Sequence, residues 1–343
     1  MKNYKLVNFC EFDKYATKSY CAIHNVDESL NLGDITQVDV SKLPQCDFIS
    51  HGSPCQSFSV IGTKEGGDEG SGTKSSLMWN SVKIIEHCKP KFVIWENVKA
   101  VLGEKHIHNF NRYIEQLDNL GYKSYYEVLN PKEFNIPQNR ERLFVISIKK
   151  ELDKGYKFPV KQELTADMFD YLDRFVDEKY IVTKQVMTGY SNKKSIFKNR
   201  FLIKKPTDCA YCLTAKSGRA VITNNYIFND WDMYKNPPCS LNDLDYMAAN
   251  DVPIRALTPL EYWRLQCFTD EDFYKVQNSG LSDAQLYKQA GNSINVEVMY
   301  QIFKSLYECN ADLFNDMKYI SLFSGIGAFE KGLTRLYEYV KTI

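Results

Sequence analysis

Tyr319-Ile-Ser-Leu-Phe-Ser-Gly-Ile-Gly-Ala328 reads as an apolar strand, a Gly-x-Gly loop and the start of a helix that runs to about Val340. Strand, glycine loop, helix is the arrangement that lets backbone approach a nucleotide-like ligand at the carboxyl edge of a parallel sheet. Gly325 and Gly327 remove side chains that would block that approach. The third glycine of a dinucleotide fingerprint is missing, which tells against NAD. The loop alone is a weak signal, and its weight depends on the rest of the chain.

Outward from that loop, residues 1–150 alternate strand and helix. Strands are expected over Tyr4 to Phe9, Asp47 to Ser50, Lys91 to Trp95 and Leu143 to Ile148. Helices are expected from Asp13 to about Asn25, from Leu77 to Cys88 before Pro90, and from Asn109 to Leu120 before Gly121. Lys91-Phe-Val-Ile-Trp95 is a near-continuous apolar run, as in parallel strands covered on both faces. The rhythm argues for an α/β sheet. It is lost from about 151 to 255, where Ala220-Val-Ile-Thr223 is one short β-like run. Residues 256–310 turn helical, with apolar Val296, Val298, Met299, Ile302, Phe303 and Leu306 at helical spacing after Gly291-Asn-Ser293.

Composition is that of an ordinary globular chain: 343 residues, 44% hydrophobic and 25% charged. Net charge is zero, so no global field draws it to nucleic acid or membrane, and such a partner must meet a local patch. Residues 180–225 offer one, with nine basic residues against the single acid Asp208. Tyr190, Phe197, Phe201 and Tyr211 interleave with them, which suits a phosphate backbone as well as a solvated surface. The first residues lack the apolar core of a signal peptide, and no apolar run reaches membrane-spanning length. The ten cysteines are scattered, which fits a reducing cytosol. Cys209-Ala-Tyr-Cys212 lacks the second pair that a structural zinc site wants, so no metal is expected.

Cys55 lies in Gly52-Ser-Pro-Cys-Gln-Ser-Phe-Ser59, directly after an apolar run. Pro54 fixes its own φ and restrains its neighbour, and the stretch from Gly62 to Gly72 is polar and glycine-rich. That reads as a nucleophile on a loop leaving a strand, although inert buried cysteines are the commoner case. Glu96-Asn-Val98 places a carboxylate at the carboxyl end of a buried strand. Gln138-Asn-Arg-Glu-Arg142 carries Arg140 and Arg142 two apart, sharing a face if extended and suited to phosphate or a carbonyl. Asp34-Ile35 follows Gly33. Glu11 ends the first strand, and could accept ribose hydroxyls if the two ends of the chain are neighbours. Each of these also reads singly as an ordinary ion pair or surface group.

Taken as an ordered set, they resemble the DNA (cytosine-5) methyltransferases. The matching segments are Gly52–Ser59, Glu96–Val98, Gln138–Arg142, Gln289-Ala-Gly-Asn-Ser293 and Phe323–Phe329, with Glu11–Ala16, Gly33–Thr36 and Arg255–Gln266 in support. The resemblance spans nearly the whole chain except about 151–250. In the family the glycine loop comes first. Here it comes last, so the order looks circularly permuted, which neighbouring termini make tolerable.

The resemblance implies a Rossmann-like α/β methyltransferase fold. It has a mixed, mostly parallel seven-stranded sheet with helices on both faces and a smaller, irregular, β-rich target recognition domain. Residues 1–150 and 285–343 would form the catalytic domain and 151–284 the recognition domain. It implies transfer of a methyl group from S-adenosylmethionine to C5 of a cytosine flipped out of duplex DNA. Cys55 would be the nucleophile, Glu96 would engage the base, and Arg142 with Arg140 would hold its carbonyl and a phosphate. The cofactor would be held by Phe323, Ser324, Gly325, Ile326 and Gly327. Glu11 would hold its ribose, Phe12, Asp34 and Ile35 would border its adenine, and Asn292 and Ser293 would close the site. Contacts to DNA are expected from Gln56, Ser57, Lys74, Lys193, Lys194, Arg200, Thr214, Lys216 and Arg219. A monomer in the cytoplasm of a bacterial or phage-infected cell is expected, free-standing or beside a cognate restriction endonuclease. Two rivals are a tRNA cytosine-5 methyltransferase and a catalytically inactive DNA-binding relic.

Overall fold

The computed structural model describes residues 4–54, 67–191, 203–214 and 225–342. The elements begin with β1 (Tyr4–Cys10), α1 (Lys14–His24), β2 (Phe48–His51), α2 (Met78–Cys88), β3 (Phe92–Val98) and α3 (Ile107–Asn119). They continue with β4 (Tyr122–Leu129), β5 (Arg142–Lys149), α4 (Lys184–Ser191), β6 (Tyr226–Phe228), α5 (Leu244–Ala249) and β7 (Ile254–Ala256). They end with α6 (Pro259–Leu265), α7 (Asp270–Asn278), α8 (Asp283–Asn292), α9 (Val296–Cys309), β8 (Met317–Leu322) and α10 (Ala328–Val340).

The chain divides into two units. The first holds residues 1–130, 141–161 and 296–343, and the second 131–140 and 162–295. These bounds differ from the expected 1–150 with 285–343. Residues 131–140 join the second unit because Gln138 bridges Ala210 and Glu133 O accepts from Gln162 N–H. Residues 285–295 join it because Trp263 Nε1 donates to Leu286 O. Residues 151–161 stay with the first unit, where Asn310 donates to Leu152 O and Tyr156 meets Ser305.

In the first unit the strand order is β1-β8-β2-β3-β5-β4. β1, β8, β2 and β3 pair in parallel, and β5 runs antiparallel to both its neighbours. The last strand therefore lies between the first and the second, with Ile49 in register with both Ile320 and Val93. All four residues of β2 are buried, as are the first six of β3, because helices cover both faces. One face carries Ile49, Val93, Trp95, Ile320 and Leu322 against Met78, Ile85, Phe110 and Tyr113 of α2 and α3. On the other, Phe48 stacks between Phe92 and Tyr319 while Phe303 of α9 meets it edge-on, and Tyr20 of α1 stacks on Phe9.

Among the described residues the sheet has six strands rather than seven. At the outer edge of β1 a single parallel bridge, Phe9 to Asn31, stands where a seventh strand would run. Gly33 at φ +70° and the turn capped by Asp34 end the extended run there. β4 has no counterpart in the sequence reading. It is an edge strand of mixed burial, so its tyrosines and charges do not alternate cleanly.

The second unit is more helical than expected. Its one named sheet among the described residues is β6 paired antiparallel with β7, and Ala220–Thr223 lies outside those residues. Met187, Ile203, Tyr226, Phe228, Met247 and Ile254 form its core. Arg255 and Glu261 are fully buried and joined by two hydrogen bonds of 2.7 and 2.9 Å, while Glu261 also closes the capping box of α6 with Thr258.

Candidate active site

The loop after β8 is held in a shape that few side chains tolerate. Phe323, Gly325 and Gly327 have φ of +55°, +56° and +82°. For Phe323 that conformation costs roughly 1–2 kcal/mol, a strain found where function over-determines the backbone. A side chain at Gly327 would sit 1.9 Å from His24 Nε2, and that nitrogen lies 3.1 Å from Ile326 O. Ser324 N–H donates to Cys10 O, tying the loop to the end of β1 (3.1 Å).

Glu11 follows β1 and faces this loop. Its Oε2 accepts from Gly325 N–H and its Oε1 from Asp13 N–H, both at 2.8 Å. Burial raises its pKa, and these two donors oppose the rise. A carboxylate oxygen with one donor keeps a further lone pair for a ligand hydroxyl. Phe12 beside it is 79% exposed, a large ring with an open face. Asn31 organises the group: its Oδ1 accepts from Glu11 and Gly33 N–H, and its Nδ2 donates to Glu11 O and Thr17 Oγ1. Asp34 accepts from Thr36 N–H, and Ile35 is buried in the core with 5% exposure. Asn31 is a functional residue that the sequence reading misses. The spacing Asn31-x-Gly33, an Asx turn into a glycine, is the signal that could have found it.

The second cluster gathers at the ends of β2, β3 and β5. Glu96 and Val98 share a face of β3, and Val98 stands opposite Arg142 on β5. Arg142 Nε lies 3.3 Å from Glu96 Oε1, with the two side chains 16% and 12% exposed. Asn97, between them, turns the other way. Its Nδ2 donates to Ser53 O and Ser53 Oγ, both at 3.2 Å, and Trp95 Nε1 donates to the same Oγ at 3.1 Å. Ser75 Oγ donates to Pro54 O at 2.9 Å. The two residues that precede Cys55 are thus fixed from three sides. Four residues before Cys55, His51 is fully buried against Trp95 and hydrogen-bonded to Tyr113, and burial holds its pKa down at about 3. The sequence assigns Asn97 no role of its own, and the tethers of Ser53 and Pro54 carry no sequence signal.

Cys55, Gln56, Ser57, Lys193, Lys194, Arg200, Lys216 and Arg219 lie outside the described residues. Lys74 is exposed and opens a short 3-10 turn that Thr73 caps. Thr214 is half-buried in the second unit. Arg140 is 3% exposed, lies in the second unit, and donates to Leu213 O, Gly291 O and Ser293 O at 2.7–3.0 Å. These three carbonyls fix the guanidinium and hold two loops of that unit together. Asn292 and Ser293 end α8 in the same unit, Asn292 exposed and Ser293 buried.

The described part of the basic segment is partly neutralised. Lys184 pairs with Asp251 at 3.1 Å. Lys204 is 7% exposed, its Nζ 3.4 Å from the centre of the Tyr211 ring, and burial lowers its pKa. Ala210, inside the Cys209–Cys212 stretch, makes one bridge to Gln138. Among the described residues no three His, Cys, Asp or Glu are grouped to hold a metal, and no helix is long and apolar enough to cross a membrane.

A mostly parallel sheet, a glycine loop faced by a carboxylate, and a Glu-Arg pair on neighbouring strand ends define the class of nucleotide-cofactor α/β enzymes. The comparisons narrow it. The family model of the C-5 cytosine-specific DNA methylases matches residues 1–308, and the chain belongs to that family. The chain is 32% identical to the orphan methyltransferase M.SPRI of Bacillus phage SPR, across 88% of this chain and 92% of that one. It is 38% identical to the type II methyltransferase M2.ScrFI of Lactococcus lactis subsp. cremoris, across 81% of this chain and 71% of that one. Among solved structures, the S. pombe Dnmt2 methyltransferase superposes with a TM-score of 0.68 at 20% identity, covering 89% of this chain and 91% of that one. At that identity the likeness speaks for the fold.

Proposed function

We propose that the protein transfers a methyl group to C5 of a cytosine in duplex DNA through a covalent adduct between Cys55 and C6. The observation that carries this reading is the meeting of β2 and β3. His51 is in register with Trp95, and Asn97 holds Ser53, so the chain leaves for Cys55 beside the Glu96–Arg142 pair. The Cys55 thiolate would add to C6, forming the S–C6 bond and turning C5 into an enamine-like nucleophile. Glu96 would engage N3 and the exocyclic amine, so that N3 can take up charge as C6 is attacked. Arg142 would hold the base carbonyl. Once C5 is methylated, a base would take its proton, the S–C6 bond would break and Cys55 would leave as thiolate.

The residues present fit S-adenosylmethionine. Gly325 has open space above it, Glu11 offers free lone pairs, and the Phe12 ring is unburied. Bound there, the cofactor supplies an electrophilic methyl group. Glu11 would take its ribose hydroxyls, Phe12, Phe323 and the Asp34–Ile35 turn its adenine, and the backbone of 324–327 its methionine end.

The motif order is read as a circular permutation. The family match stops at residue 308, whereas the glycine loop lies at 323–327 on a strand that sits between β1 and β2. Relatives described as orphan phage and type II methyltransferases support a free-standing or restriction-linked enzyme. Methyl transfer from radiolabelled S-adenosylmethionine to duplex DNA and to tRNA, run side by side, tests the substrate. Label in DNA supports the reading, and label in tRNA alone overturns it.

A further inference from the structure

Both ends of α1 are tied to the glycine loop. Asp13, which caps its start, donates its N–H to Glu11 Oε1, and Glu11 Oε2 accepts from Gly325 N–H, both at 2.8 Å. His24, the last residue of α1, is buried and meets the same loop one residue further on, where its Nε2 lies 3.1 Å from Ile326 O. A carbonyl only accepts, so Nε2 carries the proton. The ring is steadied by Tyr20, one helical turn earlier, at 4.7 Å between ring centres. The Tyr20 hydroxyl in turn donates to Glu330 Oε1 of α10 at 2.7 Å. The imidazole fills the space that a side chain at Gly327 would need.

We infer that His24 is a positioning residue for the amino-acid arm of the cofactor, which rests on the reading of this loop as the S-adenosylmethionine site. The Ile326–Gly327 peptide is planar, and both of its polar groups are committed. Its carbonyl meets His24, and its N–H donates to Ser324 O at 2.9 Å. Without these bonds Gly325 and Gly327, at φ +56° and +82°, would let that peptide turn. Ser324 N–H donates to Cys10 O and Gly325 N–H to Glu11, so among the described residues Ile326 N–H is the one amide of 324–327 without a partner. An amide held in place with nothing on it suits a carboxylate, and the arm of S-adenosylmethionine ends in one. His24 acts through this backbone rather than on the ligand itself, whereas Glu11 is assigned to the ribose. Loss of His24 is therefore felt by the amino-acid arm and not by the adenosine.

The test is a calorimetric titration of the whole protein, without DNA, with S-adenosylhomocysteine and with 5′-methylthioadenosine. These two thioethers share adenosine and sulfur and differ in the amino-acid arm. For His24→Ala, affinity for S-adenosylhomocysteine is expected to fall about tenfold or more, while affinity for 5′-methylthioadenosine changes by less than about threefold. His24→Gln, which keeps an N–H donor at similar reach, is expected to restore most of the loss. Thermal melts check that the variants fold. If His24→Ala does not, His24→Leu, which keeps apolar bulk without a donor, carries the same comparison. Equal losses for the two ligands, as a merely structural role would give, overturn the inference. So do unchanged affinities for both, or a His24→Gln protein as weak as His24→Ala. Each of these results leaves the cofactor reading standing, because the parent still binds S-adenosylhomocysteine. A parent that binds neither ligand overturns that reading and this inference together.

Discussion

Gly327→Ala puts the strained glycine loop to a quantitative test. Two costs follow from the structure. At φ +82° a Cβ meets its own backbone, a penalty of roughly 1–2 kcal/mol. That Cβ would also lie 1.9 Å from His24 Nε2, so the ring must move and its contact with Ile326 O is lost. A buried hydrogen bond contributes about 1 kcal/mol, and leaving the carbonyl unsatisfied raises the loss to as much as about 3. Together the substitution should destabilise the first unit by about 2–5 kcal/mol, which for a unit of this size lowers its melting temperature by roughly 4–20 °C. The assay is a thermal melt of four proteins: the parent, Gly327→Ala, His24→Ala and the double variant. Removing the imidazole should relieve the clash but not the backbone strain. The double variant should therefore be about 1–3 kcal/mol more stable than the sum of the single losses implies. Additive losses would mean that His24 does not press on the loop. A Gly327→Ala protein as stable as the parent would refute both costs.

Glu11→Ala removes the acceptor of the Gly325 and Asp13 N–H groups and the expected ribose ligand. S-Adenosylmethionine affinity measured by titration should fall about 10–100-fold, as for a charge-assisted hydrogen bond. Breaking the buried pair with Arg255→Met should cost roughly 3–5 kcal/mol in the second unit, because Glu261 is left charged and dry, whereas Arg255→Met with Glu261→Leu should cost far less. Denaturant titrations of the three proteins separate these outcomes. His51 stays neutral in the native state down to about pH 3, while in the unfolded chain it gains a proton near 6.5. The unfolded state therefore binds more protons between those values, and stability is present above pH 6.5 and lost as pH falls toward 3. At pH 5 this group alone should account for about 2 kcal/mol of loss relative to pH 7, a dependence that His51→Phe removes.

The sheet was legible wherever burial on both faces writes a continuous apolar run, as at β3 and β8. β4 escaped because an edge strand buries only part of its surface. The missing seventh strand escaped because nothing local says that Leu30-Asn31-Leu32 makes one bridge instead of a ladder. Glu11, Glu96 and Arg142 could be picked out because charge at the end of an apolar strand is unusual and so conspicuous. Arg140 looked the same in sequence. Only the fold reveals that its guanidinium meets the carbonyls of residues 213, 291 and 293, which lie far along the chain. Asn31, Asn97 and His24 act through backbone partners distant in sequence or through turn geometry, and such pairings leave little pattern to read.

The central claim is a covalent Cys55–C6 adduct formed beside Glu96 and Arg142. Incubation with S-adenosylmethionine and duplex DNA carrying 5-fluorocytosine should trap it, because fluorine cannot leave C5 as the proton does. The expected result is a denaturation-resistant protein–DNA complex from the parent protein and none from Cys55→Ser. Absence of the complex on a DNA pool that the protein demonstrably methylates, or an equal yield from Cys55→Ser, would contradict it.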